Sequence, residues 1–587
     1  MKSGVSPAPH PLMTLGLCLV AAGVPLAWSR FVADAYILPE IIVLSVGLLL
    51  AAAGAALSSR PPSLSTELDR PLAAALLAWT LAAVFSIDPR YSVIGTYGGY
   101  TYGLWQVASC AAVFQLTACA DARAKRLITK SALTAAMLVG TYALLQAAGL
   151  DPLVAAADLP HNRTLSTLGS PVFLGAYLAL WLPVALHEAL GEPGEERFGR
   201  GAAALIGAGL LTTVSRGAWL GAALGGVLYL RLAGRLRAPR WSWTRWAAAA
   251  AVTALIAAWS VSALARRSAT NLGGESSRLA IWGIAGRIFV RHPWLGIGPD
   301  TFEQGLRQTR TEEFIRLLGQ GYRLGHAHND LLQVLATTGH LGFAAYLRLL
   351  FALTGAARRA LAAEAGRPRA AGFAAGLAAL FVNLQFNIVS LPAFVSAALA
   401  TGLLCRPRPE AAAGRSKSAA LVLLAAAGAL LSLRLGGADR EFKLARDAAD
   451  SPEAGRRYRA ALARNPCELG YHLAYVNHLV DESAKLDEAR RLDAAGLIAR
   501  SGAEAVACHP HDAVAHFISG SAALMQAVGG RRESLSAAEE QLDAALLLDP
   551  YRLDMLDWRR QAASLRGDRD LEQRLLERIA RVRALHP

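Results

Sequence analysis

"RLGHAHNDLLQVLATTGHLGF", residues 323–343, sets two histidines, an asparagine and an aspartate directly before an apolar stretch long enough to start a membrane helix. Similar apolar runs recur along the chain, separated by short Arg-rich or Gly/Pro-rich connectors. They match helices that cross a hydrocarbon core about 30 Å thick. The spans are 11–28, 36–57, 71–86, 102–118, 130–149, 170–187, 202–214, 217–231, 246–265, 331–354, 371–388, 393–405 and 418–436. The 587 residues are 54% apolar and 18% charged, with a mean hydropathy of +0.33, against about 25% charge in a soluble domain. The expected fold is all-α: a polytopic transmembrane bundle of about 12–13 helices, a large external loop and a C-terminal soluble helical-repeat domain. The division places the membrane domain at 1–437, the external loop at about 266–330 and the repeats at 438–587.

The first run follows a weakly charged start and could be read as a signal peptide; an uncleaved helix fits the second run close behind it. The six cysteines lack metal-ligand spacing, and four fall in or beside apolar runs. No zinc site or disulfide framework is implied, and Cys467 with Cys508 is a possible but unsupported pair.

Alternate connectors set the orientation. "ADARAKRLITK", "RLAGRLRAPRWSWTR", "ARRALAAEAGRPRA" and "CRPRPEAAAGRSK" each hold four or five Lys/Arg, whereas the connectors between them hold one or none. The positive-inside rule makes the first set cytoplasmic, and Trp241, Trp243 and Trp246 fit an interfacial belt on that side. The net charge of +15 is therefore mostly topology, and nucleic-acid binding is not implied. The loop 266–330 and the tail then face outside. The loop carries nine arginines against five acids before Asp330, which points to an anionic ligand.

After Gly436–Gly437 the apolar runs stop. Ala/Leu helices broken at Pro466, Pro510 and Pro550 follow, a pattern that resembles degenerate tetratricopeptide repeats; an irregular helical bundle is the plainer alternative. Such repeats offer a surface for a protein partner. His509 and His511 read as surface residues of a turn.

Three stretches hold polar residues that topology does not demand. In "TTVSRGAWLG", 212–221, Ser215, Arg216 and Gly217 form a tight turn between two apolar runs. An Arg near hydrocarbon usually has a partner, although a snorkelling arginine would also explain it. In "GGESSRLAIWGIAGRIFVRHPWLGIGPDTF", 273–302, Ser276 or Ser277 would cap a helix along which Arg278, Arg287 and Arg291 could share related faces. "GIGPD" matches a phosphate loop only weakly, and chain reversal explains its glycines better. In the opening stretch, Asn329 or Asp330 can cap the next helix, which leaves His328 unexplained. An imidazole there suits general-base chemistry, and His326-x-His328 in an extended segment would suit a metal. No carboxylate or cysteine cluster accompanies the pair, so no metal or other cofactor is expected.

The order "SRGAW", "SSRLAIW…HPWLGIGPDTF" and "AHNDLLQVLATTGHLGFAAYL", supported by "FSIDPRYSVIGTYGGYTYGLW" and "RTLSTLGSPVFLGAYLALWLP", resembles the O-antigen ligase and polymerase family over roughly residues 70–405. These are bacterial inner-membrane glycosyltransferases. The resemblance implies transfer of a glycan from a polyprenyl-diphosphate-linked donor, on the periplasmic face, to a lipid A core, glycan or protein hydroxyl, with inversion and without metal. It implies Arg216, Arg278 and His328 as the active site, with Arg163, Arg323, His326 and Asn329 orienting the base or the glycan. One departure stands out: "GSPVF", 169–173, replaces the family's G-N-P-N. A polymerase or a protein O-oligosaccharyltransferase would carry the same motifs. A transporter or flippase would place its site near the bilayer midplane in repeated halves, which the sequence does not display.

Overall fold

The computed structural model describes residues 10–59, 61–151, 163–191, 196–236, 275–363, 366–408, 415–448, 451, 453–483 and 488–585. Among these the protein is helical, with one isolated antiparallel bridge between Thr66 and Pro407. The N-terminal helices are α1 Pro11–Leu26, α2 Ile37–Leu57, α3 Asp69–Val84, α4 Pro89–Ile94, α5 Leu104–Ala118, α6 Ala122–Ala147, α7 Pro171–Leu190, α8 Glu196–Thr212 and α9 Arg216–Leu232. Next come α10 Glu275–Arg291, α11 Phe302–Thr309, α12 Glu312–Leu318, α13 Asp330–Ala362, α14 Arg367–Leu384, α15 Leu391–Leu404 and α16 Arg415–Asp447. The tail adds α17 Glu453–Arg464, α18 Leu469–Ser483, α19 Glu488–Cys508, α20 Ala513–Val528, α21 Leu535–Leu548, α22 Leu553–Arg566 and α23 Arg569–Leu585.

Helices coincide with twelve of the thirteen expected spans; the span 246–265 and the tryptophans 241, 243 and 246 lie outside the described residues. Among the described residues five helices, α2, α6, α7, α13 and α16, are long and apolar enough to cross a membrane. α7 lies at the centre. Tyr177 and Trp181 are fully buried there, packed against α8, α9, α14 and α15, and the Trp181 indole N–H donates to Ser396 Oγ at 3.1 Å. Leu77, Val84, Leu138, Val227, Phe351, Leu423 and Leu430 point outward, an apolar exterior suited to lipid.

The helix starting at Asp330 departs from the expected single span. Gly339 has φ 62° and ψ −163°, outside the helical region, and the Tyr346 hydroxyl donates to the Asp330 carboxylate. Sixteen residues of straight helix would separate these positions by about 24 Å, beyond the reach of the two side chains. α13 is therefore a sharp hairpin, with 330–338 folded back beside 340–362. Residues 293–298 form its seat: His340 N donates to Pro293 O at 2.8 Å, Leu341 N to Trp294 O at 3.2 Å, and Gly298 N to Thr337 O at 2.9 Å. A Cβ on Gly339 would lie 2.4 Å from the Trp294 carbonyl carbon, and one on Gly296 2.3 Å from that of Thr337. Gly296 of "GIGPD" thus permits backbone-to-backbone approach to the hairpin, whereas a Cβ on Gly298 would meet the Ser86 and Ser92 side chains. "GIGPD" also anchors the connector after α3, where Ile87 N donates to Ile297 O, Ser92 Oγ to Pro299 O and Thr96 N to Asp300 Oδ2.

The tail helices stack in sequence order, each on the next. α16 runs through Gly436–Gly437 without interruption, so the compositional change falls inside one helix. In the tail one pairing that was left open is formed, and one expectation, a surface His509, fails. Cys467 and Cys508 are disulfide-bonded, with Cα atoms 5.4 Å apart, because stacking sets two successive proline turns side by side. His509 is fully buried, whereas its neighbour His511 is exposed. The His509 ring stacks on Tyr91 at 4.3 Å, and its nitrogens face the Asp88 carboxylate and the Cys467 carbonyl. Both partners are acceptors, so the imidazolium satisfies both. Burial opposes that charge, but Asp88 outweighs it and the pKa is raised.

The hairpin generates a test. Gly339→Val puts a branched side chain into a backbone state that is in practice confined to glycine, and against the Trp294 backbone. The expected loss is on the order of 3 kcal/mol or more, seen as a lower melting temperature in detergent; an unchanged melt would mean the reversal is not formed.

Candidate active site

Two of the three polar stretches meet at the turn between α14 and α15, and the third reaches them through Arg278, near His328. The Asn329 side-chain amide donates to Gln385 O at 3.1 Å. A Cβ on Gly217 would lie 2.6 Å from Asn387 Nδ2 and 3.3 Å from Asn383 Oδ1, so the S-R-G turn packs on the same residues. The glycine is the side of that turn that can approach them, and Arg216 heads α9 beside it. Arg163 joins from another connector, its Nε donating to Thr213 O at 2.9 Å. Arg278 stands close enough to His328 to disfavour protonation of the imidazole.

Asn383, Gln385 and Asn387 did not enter the expected site. The span 371–388 absorbed them as membrane residues, whereas α14 ends at Leu384. Three amide side chains within five residues of "NLQFN" are the signal that could have placed a polar turn there. Asn383 is fully buried, and its Oδ1 accepts from Asn387 Nδ2 at 2.6 Å.

Backbone conformation marks both key turns. Val214, two residues before Arg216, has φ 48°, and His328 has φ 52°. A left-handed state is unfavourable for β-branched valine and uncommon for any residue with a Cβ, and such strain concentrates at functional sites. At His328 it also breaks the extended path on which a shared metal-facing direction for His326 and His328 depended. His326 packs against Tyr102 with ring centroids 5.3 Å apart, and its Nδ1 is buried without a hydrogen-bond partner among the described residues. Asn329 caps α13, its Oδ1 accepting from Leu332 N, as expected. Ala327 N donates to Gln333 Oε1 at 2.7 Å, which ties the histidine segment to the first turns of that helix.

Other expectations are corrected. Ser276 and Ser277 lie inside the first turn of α10, which begins at Glu275, and do not precede it as caps. Arg278 and Arg287 are nine residues apart, about half a turn out of phase on a helix; Arg287 is exposed, and Arg291 reaches the Gln308 carbonyl at 3.3 Å. Only Arg278 of the three faces His328. Arg323 is mostly exposed and paired to Glu303 at 2.7 Å, so it flanks the site through a carboxylate. Arg307 and Arg310, counted toward an anion-binding loop, are turned to carboxylates of the tail.

Below this cluster lies an apolar cavity of about 260 Å³. Tyr102, Asp330, Tyr346 and Val389 line it at the site, and Leu72, Trp79, Leu353, Phe394 and Thr401 line it farther along α3, α13 and α15. Asp330 is two residues from His328. The site thus joins a cationic, histidine-bearing polar turn to an apolar slot between helices.

A bundle with several apolar helices of membrane length and that junction is suited to a multi-pass membrane protein. Residues 201–347 match the family described as O-antigen ligase, and the match supports membrane glycosyl transfer of the O-antigen ligase kind. It includes Arg216, Arg278 and His328 but neither Arg163 nor the 383–387 turn. No curated protein matches the chain.

Burial first, and then the Arg278 charge, push the His328 pKa down to about 4; burial, and then His328 itself, do the same to His326. Both are neutral at neutral pH. The unfolded chain, with histidine near 6.5, binds more protons between those values, so stability should fall as the pH drops from about 6.5 toward 4. Acylation of His328 by diethyl pyrocarbonate, read by peptide mass spectrometry, should proceed down to a midpoint near pH 4. In Arg278→Gln the midpoint should move part of the way toward 6.5, because burial remains; a wild-type midpoint at 6.5 would contradict the environment described.

Proposed function

We propose that the protein transfers a glycan from a polyprenyl-diphosphate carrier to an acceptor hydroxyl, and that His328, Arg216 and Arg278 carry the reaction. The supporting observation is that the His328 segment leads into Asp330, which lines the apolar cavity, while Asn329 and the S-R-G turn that carries Arg216 pack on the same turn at 383–387. The polyprenyl chain would lie in the cavity and the diphosphate among the arginines.

The chemistry follows from the groups present. Guanidinium groups bind phosphate oxygens in bidentate fashion and are always charged, so Arg216 and Arg278, helped by Arg163, stabilise the negative charge that grows as the glycosidic C–O bond breaks. The neutral imidazole of His328 accepts the proton of the acceptor hydroxyl while its oxygen attacks the anomeric carbon from the opposite face. The diphosphate leaves with the bonding electron pair, and the configuration inverts. The imidazolium formed returns its proton to the departing diphosphate or to water. Arginine charge takes the part that a divalent ion plays in other transferases. His326 and Asn329 hold the His328 segment. The amides at 383–387, polar and close to both turns, would set the position of Arg216 and offer hydrogen bonds to sugar hydroxyls.

An external, periplasmic setting at the bacterial inner membrane is supported by the basic connectors on the opposite side and by the disulfide, which belongs to oxidising compartments. The tail, 438–587, reads as tetratricopeptide-like repeats appended to the membrane domain 1–437. The acceptor is a lipid A core, a second glycan or a protein hydroxyl.

Purified protein in detergent with EDTA, given a polyprenyl-diphosphate oligosaccharide and each acceptor class in turn, should form a glycosidic product with one of them. His328→Ala should lower kcat by about 10²–10⁴-fold, and Arg216→Ala and Arg278→Ala should act in the same direction. Variants that fold and transfer as well as the wild type would remove these residues from the site.

A further inference from the structure

The proline turns of the tail share one edge, and that edge is docked on the connectors around the candidate site. At the first turn Asn465 Oδ1 accepts from Arg90 Nη2 at 2.8 Å. At the second, His509 meets Asp88, and both Asp512 carboxylate oxygens lie 3.3 Å from Arg307 Nη1. At the third, Asp549 pairs with Arg310, and Tyr551 packs on the apolar cluster around Phe302 and Phe314. Arg307, Arg310, Asp512 and Asp549 are all buried. Farther along, Arg581 pairs with Glu312 at 2.6 Å.

The two buried arginines do not stop at the tail. Arg307 also binds Glu303, and Glu303 Oε1 accepts in turn from Arg323 Nε at 2.7 Å. Glu303 is near enough to favour the charged form of His326. Burial opposes its own ionisation, but Arg307 and Arg323 outweigh that and its pKa is lowered, so the bridge is ionic. Arg310 Nη1 donates to Gln320 O at 2.6 Å. Both chains of contact thus end on residues 320–323, immediately before the histidine segment. A charge left unpaired in such a buried set is costly, so the contacts hold or fail together.

We propose that the tail is a positioning element of the transfer site: Asp512 and Asp549 hold Arg307 and Arg310, which hold, through Glu303 and the Gln320 carbonyl, the segment that presents His328. The coupling is read from geometry alone; its catalytic consequence rests on the transfer reading given above. The two loop arginines are then structural cations, and the tail acts on the reaction without touching substrate.

The test uses the full chain in detergent, with Asp512→Asn/Asp549→Asn and, independently, Glu303→Gln. Hydrogen exchange at 319–329 should accelerate in both variants while the amides of α7 and α14 stay protected, which separates uncoupling from misfolding. With a polyprenyl-diphosphate oligosaccharide as donor, kcat should fall about ten- to a hundredfold, as small misplacements of a catalytic group do, with donor KM within about twofold. Asp512→Glu should retain most of the activity, and adding Asp512→Asn to Glu303→Gln should cost little more, since both cut one chain of contacts. Unchanged exchange at 319–329, or full activity in the double aspartate variant, would overturn the proposal. A wild type that transfers to no acceptor would count against the transfer reading alone, and the exchange arm would still decide the coupling.

Discussion

At Gly339 the chain turns back with a backbone geometry that is in practice reserved for glycine, and the position of the candidate site depends on that reversal. It brings Asp330 alongside Tyr346, and with it the His328 segment to the mouth of the apolar cavity. The same reversal is the surface on which residues 293–298 lie, and these in turn hold the connector at 86–96. One glycine conformation therefore fixes the histidine segment, one wall of the cavity and the seat of the connector after α3.

Charge is divided between two tasks. Buried arginines at 307 and 310 meet carboxylates and tie the tail to the loop. The S-R-G turn that carries Arg216 and the segment of His328 and Asn329 pack on the turn at 383–387, with Arg163 bound to Thr213 O and Arg278 near His328. Net positive charge in the loop is thus a poor guide to an anion site, because two of its guanidinium groups face buried carboxylates.

Much of the bundle was legible because apolar runs of membrane length leave little alternative to a helix, and the helices of the described residues follow them closely. The site residues stood out as polar groups with no topological duty, and the resemblance gathered them into one family. The turn at Asn383, Gln385 and Asn387 was hidden because a window of high average hydropathy absorbs three amides at its end. The α13 hairpin was hidden because a single glycine with an unusual φ and ψ leaves no periodic trace. The docking role of His509, Asp512 and Asp549 was invisible for a different reason: their partners lie more than two hundred residues away, and only tertiary packing distinguishes such a carboxylate from a helix cap.

The central claim is that a lipid-linked diphosphate sits between the arginines and His328 with its chain in the cavity below. The most direct measurement is a structure of the full chain with a non-transferable polyprenyl-diphosphonate glycan analogue. The account predicts phosphorus density beside Arg216 and Arg278, the anomeric carbon toward His328, and the lipid running along Leu72, Trp79 and Phe394. Analogue density elsewhere in the bundle, with this cavity empty, would contradict it.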